Sequence, residues 1–123
     1  MKTLILLFCL FFSEIILHAQ AFVYKKTKNF FVVGNIRNDY RVFGYSSPDA
    51  TSKKLILFSI FTKEVEGNPY KCPLGSYYET AGMKEGDKII LISIAKTFIK
   101  LKYITAYNNA TIFYIKRNLI RLV

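Results

Sequence analysis

The chemistry open to this 123-residue chain is limited first by where its histidine and cysteines lie. Its one histidine, His18, and one of its two cysteines, Cys9, belong to a strongly apolar N-terminal stretch. The rest of the sequence therefore has no imidazole to act as a general base, to activate a nucleophile or to bind zinc. It also contains no calcium-loop spacing, glycine-rich phosphate loop or GxSxG motif. We therefore predict a protein that is not an enzyme and that uses no metal ion and no cofactor.

Cys72, in the stretch NPYKCPLGSYYE (residues 68–79), is the remaining candidate nucleophile. A reactive thiol needs a lowered pKa, which a base, a helix N-terminus or nearby cations can provide. Only Lys71 is adjacent in sequence, and Pro73 disfavours helical backbone at Cys72. Because free cysteines are among the most buried residue types, we predict that Cys72 is a buried structural residue. An intermolecular disulfide ranks second and catalysis ranks third.

Several carboxylates could in principle act as an acid–base pair, as in glycoside hydrolysis. They fall in one lysine-rich polar region: Glu64, Glu66, Glu79, Glu85 and Asp87. Carboxylates in such a region are usually solvated, and the two-residue spacing of Glu64 and Glu66 is common by chance. The alternative to a binding protein is therefore a small secreted hydrolase or a thiol-dependent enzyme, using the Glu64–Asp87 loop or Cys72.

The net charge of +10 favours anionic partners, namely an acidic protein or an anionic polymer. No motif supports nucleic-acid binding, and a purely solubilising role for the charge is an equally good interpretation. Basic residues stand beside aromatic ones in FIKLKYITAY and FYIKRN, where Tyr103 or Tyr114 could lie close to the cations. The candidate binding residues are therefore Lys100, Lys102, Lys116 and Arg117, together with the loop tyrosines Tyr77 and Tyr78, which could stack on a ligand.

The N-terminus has the layout of a secretory signal peptide, which we assign to residues 1–20. Lys2 precedes an apolar run, and small residues mark a cleavage site near Ala19 to Ala21. The uninterrupted apolar run is shorter than the roughly twenty residues that span a bilayer. We therefore predict a secreted or periplasmic protein whose mature chain has no integral membrane span.

Short runs rich in Val, Ile, Phe, Tyr and Thr, separated by turn residues, predict an all-β domain over residues 21–123. At this size we expect a single small barrel or sandwich of about six or seven short antiparallel strands. NFFVVGNI and YRVFGYS are two strands, with a tight turn at Asn38-Asp39. SSPDATSK is a loop or a short helix, and KLILFSIFT is a strand covered on both faces or a buried helix.

The last third of the sequence gives the clearest pattern: GDKIILISIA, TFIKLKYITAY and ATIFYIKRNLIRLV predict three successive strands. In the second, Ile99, Leu101 and Tyr103 point to one face, and Lys100 and Lys102 point to the other. Asn108-Asn109 suits a hairpin turn. A two-residue loop there would pair Tyr103 with Tyr114, and a loop one residue longer would swap the faces, so the register stays open.

Overall fold

The computed structural model describes residues 20–34 and 39–123. The predicted signal peptide, with His18 and Cys9, falls outside these residues except for Gln20, and so does most of the turn expected around Asn38. Across the two described ranges, no helix is long and apolar enough to cross a membrane.

The described residues form nine β-strands and one short α-helix, so the predicted all-β class is confirmed. Most strands are short, and two 3₁₀ turns, Thr80–Gly82 and Arg117–Leu119, separate some of them. In chain order the elements are β1 Ala21–Val23, β2 Phe30–Val32, β3 Arg41–Tyr45, β4 Lys54–Ser59, α1 Thr62–Gly67, β5 Ser76–Tyr77, β6 Lys88–Ile94, β7 Phe98–Ile104, β8 Ala110–Lys116 and β9 Ile120–Leu122.

The strands form two sheets that do not close into a barrel, so the expectation of a barrel is wrong. The small sheet has the order β2-β1-β9, and the large sheet has the order β5-β4-β3-β8-β7-β6. Two pairings, β1 with β9 and β4 with β5, are parallel rather than antiparallel. One antiparallel bridge, between Asn29 and Ile90, joins the two sheets at an edge.

The sequence predicts one strand for ATIFYIKRNLIRLV, but this segment forms two strands in different sheets. β8 ends at Lys116, the 3₁₀ turn at Arg117–Leu119 redirects the chain, and β9 pairs with β1. Just after β8, the Arg117 N–H donates to the Thr97 carbonyl at 2.9 Å and extends the pairing of β8 with β7. Burial of Ile120 in the hydrophobic core favours this redirection over a longer β8.

The predicted alternation in β7 is confirmed, since Ile99, Leu101 and Tyr103 are all buried. The register left open by the sequence is set by a five-residue connection between β7 and β8, because Ile104 pairs with Ala110. Tyr103 therefore lies opposite Thr111, and not opposite Tyr114 as a two-residue loop would require.

The hydrophobic core lies between the small sheet and the inner face of the large one. Apolar residues from both sheets make a single cluster, including Val23, Val32, Phe58, Leu101, Phe113 and Ile115. Gly44 on β3 leaves the space that Ile56 and Phe113 occupy, because an added Cβ would lie 2.5 Å from each of these side chains.

β4 is a strand covered on both faces, as its unbroken apolar run predicted. Ile56, Leu57, Phe58 and Ser59 are all buried. The preceding SSPDATSK segment is a turn and not the alternative short helix. The short helix lies instead at α1, which the sequence placed in an irregular region, and α1 packs against β4 and β5.

Candidate anion-binding face

The outer face of β7 and β8 carries three of the six candidate binding residues that the sequence identified. Strand pairing places Lys100 opposite Tyr114 and Lys102 opposite Ile112. The same register pairs Lys116 with Phe98 one step further along. Because residues two apart on a strand share a face at about 6.8 Å, these cations and rings form a continuous stripe. Tyr114 is therefore the aromatic neighbour of the lysines, and Tyr103 points into the core.

This stripe ends in an open groove of about 630 Å³. The groove is formed by the β6–β7 turn, the start of β7, the end of β8 and the loop between β3 and β4. Its lining residues are Pro48, Asp49, Ala50, Lys96, Thr97, Phe98, Lys116, Arg117 and Asn118. We call the stripe and the groove together the basic face, and its cationic and aromatic side chains are Lys96, Phe98, Lys100, Lys102, Tyr114, Lys116 and Arg117.

Hydrogen bonds and ring packing hold the turn, Arg117 and Phe98 of the groove in place. The Ala95 N–H donates to the Phe98 carbonyl at 3.0 Å and closes the β6–β7 turn that carries Lys96. A guanidinium N–H of Arg117 donates to the Ala95 carbonyl at 3.1 Å, which holds this side chain across the turn. Phe98 packs edge-on against Tyr45, with ring centroids 6.4 Å apart. The groove is thus built on paired strands and a short turn.

One carboxylate, Asp49, lies among the three cations of the groove. The backbone N–H of Thr51 donates to Asp49 Oδ1 at 2.9 Å, and the Thr51 hydroxyl donates to the same oxygen at 2.8 Å. These hydrogen bonds lower the pKa of Asp49 below its ordinary value. Asp49 is therefore ionised at neutral pH, with one oxygen held by its own turn, and the groove contains three cations and one carboxylate. Within residues 20–34 and 39–123, the salt bridge found joins Arg41 and Glu64. The groove cations Lys96, Lys116 and Arg117 form none there.

The charge of the chain is divided along the sequence in a way that favours this face. Residues 88–123 carry seven basic residues and no acidic residue. All seven acidic residues that follow position 20 fall between Asp39 and Asp87. β7, β8 and the turn into β7 therefore project a positive field that no carboxylate of their own neutralises.

Tyr77 and Tyr78, the other two predicted candidates, do not join the basic face. The Tyr77 hydroxyl donates to the Leu74 carbonyl at 2.7 Å, and its ring packs near Phe58. The Tyr78 ring lies over Gly34, where an added Cβ would sit 2.2 Å from a ring carbon. Tyr40 donates its hydroxyl to the Tyr78 carbonyl at 2.6 Å, and burial raises the Tyr40 pKa to about 12. Both predicted tyrosines therefore pack against their own fold.

Glu64 is the carboxylate that differs most from the solvated group that the sequence suggested. It is buried, and Arg41 Nε donates to both of its oxygens. The Ser59 hydroxyl donates to Oε1 at 2.7 Å, and the Tyr70 hydroxyl donates to Oε2 at 3.2 Å. Burial acts to raise the Glu64 pKa, but these hydrogen bonds outweigh it and hold the pKa below its ordinary value.

Cys72 is buried, as predicted, and the side chain of Asn68 brackets its backbone. The Cys72 N–H donates to the Asn68 side-chain oxygen, and the Asn68 amide donates to the Cys72 carbonyl, both at 3.0 Å. Burial raises the pKa of the thiol, and the nearby charge of Lys54 only partly opposes this effect. The turn continues through Gly75, whose φ of +101° favours glycine.

No protein-family model, no curated protein and no solved structure matches this chain. Within residues 20–34 and 39–123, no cluster of His, Cys, Asp and Glu could hold a metal ion. Lys96 and Phe98 could not be predicted as groove residues from the sequence. They come beside Lys116 only through the pairing of β7 with β8.

Proposed function

We propose that this protein is a non-enzymatic binding domain that recognises an anionic polymer, or an acidic protein, through its basic face. The observation that carries the proposal is the groove, which collects Lys96, Lys116 and Arg117 around Phe98 without a salt bridge to any of them in the described residues. The paired strands and the turn hold the backbone of these cations in place, so only their side chains must be ordered when they bind carboxylate, sulfate or phosphate groups. Lys100 and Lys102 extend the same charge along the strand for a partner with repeating anionic groups.

The states of Cys72 and Glu64, two of the six candidate catalytic residues, support a binding role over an enzymatic one. The Cys72 thiol is buried and its pKa is raised, which is the opposite of what a nucleophilic thiolate requires. The Glu64 oxygens are occupied by three donor side chains. Neither group is available as it stands to act on a substrate.

We also propose that the protein is exported and that its mature chain begins at Gln20. The support is that Gln20 and Ala21 are both buried, and that Ala21 pairs with Val32 and Ile120 in the small sheet. Cleavage after Ala21 would remove part of β1, whereas cleavage after Ala19 leaves the strand whole. Intact-mass measurement of the protein recovered from outside the cytoplasm tests this, and a mass that includes residues 1–19 would contradict it.

The binding proposal is tested by titrating the protein with two soluble probes, dextran sulfate and poly-L-glutamate. A variant that carries Lys96→Gln, Lys116→Gln and Arg117→Gln removes the groove cations. Since each exposed ion pair contributes up to about 1 kcal/mol, we expect roughly a tenfold loss of affinity or more. Binding should also weaken as salt is raised.

The matched control removes the same charge elsewhere, through Lys63→Gln, Lys84→Gln and Lys88→Gln, which are all exposed positions. The control variant should keep most of the affinity. Equal losses in the two variants would mean that the probes sense only net charge, and no binding of either probe by the unaltered protein would contradict the proposal outright.

A further inference from the structure

The outer face of the small sheet is a second surface, and it shares no residue with the basic face. Strand alternation places the side chains at every second position on this side, away from the core. We call it the aromatic platform, and its residues are Phe22, Tyr24, Phe31, Val33, Arg121 and Val123. Three of the seven large apolar residues that are exposed in the described chain lie here: Tyr24 at 42%, Val33 at 45% and Val123 at 54%.

The aromatic rings of the platform pack on one another across β1 and β2. Phe22 and Phe31 face each other in the register and stack with ring centroids 5.2 Å apart. Tyr24, which directly follows β1, packs on Phe31 with ring centroids 5.1 Å apart. Part of each ring face is therefore already covered by a neighbouring ring. A planar base or sugar needs a free ring face on which to stack, whereas a lipid interface needs only exposed apolar area beside aromatic groups.

Cations lie at the hairpin end of the platform, and no carboxylate in its own strands opposes them. The β1–β2 hairpin is closed by the Lys28 N–H, which donates to the Tyr24 carbonyl at 2.7 Å, and Lys28 adopts a positive φ of 63°. This turn places Lys25, Lys26 and Lys28 beside Tyr24, and all three are exposed. Residues 20–34 and 117–123 contain no Asp or Glu.

From this combination we infer that the aromatic platform binds the surface of an anionic phospholipid bilayer. Tyr24, Phe31 and Val33 would enter the region between head groups and acyl chains, where aromatic side chains are favoured. Lys25, Lys26 and Lys28 would lie against the negatively charged head groups, and each basic residue near such a surface strengthens binding about fivefold. The small sheet would lie on the bilayer without crossing it.

The chain contains no tryptophan, so a single introduced tryptophan reports on one position alone. In the mature chain that begins at Gln20, we compare Tyr24→Trp, on the platform, with Tyr107→Trp, at the β7–β8 turn, where Tyr107 is 90% exposed. Each variant is mixed with phosphatidylcholine vesicles and with vesicles that also contain phosphatidylglycerol. We expect the emission of Tyr24→Trp to shift to shorter wavelength with the phosphatidylglycerol vesicles alone, while Tyr107→Trp stays unchanged.

Adding Lys25→Gln, Lys26→Gln and Lys28→Gln to Tyr24→Trp should raise the half-saturating lipid concentration on the order of 100-fold. Circular dichroism checks that each variant remains folded. An unchanged Tyr24→Trp spectrum, or equal shifts at both reporter positions, would overturn the inference. Equal shifts with neutral and anionic vesicles would overturn its electrostatic part. A response to an oligothymidylate at lower concentration than to vesicles would instead assign the platform to nucleic acid.

Discussion

Arg41 Nε lies 2.7 Å from one carboxylate oxygen of Glu64 and 2.9 Å from the other, across 23 residues of sequence. Ser59 at the end of β4 and Tyr70 after α1 donate to the same carboxylate. The guanidinium of Arg41 also lies 4.3 Å from the centre of the Phe61 ring. This contact network fastens α1 and the following loop to the outer face of β3 and β4.

We predict that Glu64→Gln destabilises the fold by about 1–3 kcal/mol, because hydrogen bonds to a buried charged acceptor are replaced by weaker ones. The measurement is the free energy of unfolding in urea. Glu66→Gln, an exposed change two residues away on the same helix, is the control and should lie within about 0.5 kcal/mol of the unaltered protein. Equal effects of the two changes would contradict a specific role for Glu64.

The same network predicts a dependence of stability on acid. The Glu64 pKa is lower in the folded chain than its ordinary value of 4.5, so its contribution to stability is complete above that value. It is lost as the pH falls through the lower, folded-state pKa. The difference in unfolding free energy between the unaltered protein and Glu64→Gln should therefore shrink below about pH 4.5. A difference that stays constant down to pH 3 would show that Glu64 carries no such linkage.

Gly44→Ala should destabilise the protein by about 1–3 kcal/mol through overpacking, since its Cβ would meet Phe113 and Ile56 at 2.5 Å. Gly82→Ala is the matched control, because no atom lies within 4 Å of its added Cβ. Thermal or urea unfolding compares the two variants. Adding Phe113→Leu to Gly44→Ala should recover part of the loss. Equal stability of Gly44→Ala and Gly82→Ala would contradict the close packing described between β3 and β8.

Cys72 should label slowly with a thiol reagent in the native protein and rapidly after unfolding, because it is buried and its pKa is raised. Cys72→Ser should cost about 1–3 kcal/mol if its hydroxyl finds no hydrogen-bond partner. Cys72→Ala should cost less, because it only removes volume. Rapid labelling of the folded chain at neutral pH would show an exposed thiol and would favour a covalent dimer or a thiol-dependent activity.

Patterns confined to one strand could be predicted from the sequence, as the burial of Ile99, Leu101 and Tyr103 shows. Features that depend on distant partners could not. Glu64 lies in a polar, lysine-rich stretch, and its burial follows from Arg41, which a local pattern cannot reveal. The closing segment has strand-forming residues throughout, so nothing local separates β8 from β9. Their separation depends on the pairing of Ile120 with Ala21 at the other end of the chain.

For the candidate site too, the strand residues could be predicted from the sequence and the turn residues could not. The alternation of FIKLKYITAY places Lys100 and Lys102 on one face, but the open register leaves the side of Lys116 undetermined. The pairing of Phe98 with Lys116 brings Lys116 to the same face. The groove itself needed the β6–β7 turn and the β3–β4 loop, which bring Lys96 and Asp49 to the end of the stripe. Turn residues show no periodicity, so their place in a site depends on the tertiary fold.

Chemical-shift mapping tests the central claim, anion binding at the basic face, most directly. Backbone amide resonances of the ¹⁵N-labelled protein are followed while dextran sulfate is added at constant salt. We predict that the largest shifts fall at residues 96–98 and 116–118, the two sides of the groove, and continue to Lys100 and Lys102. Shifts centred on another part of the molecule, or spread evenly over all exposed lysines, would contradict the claim.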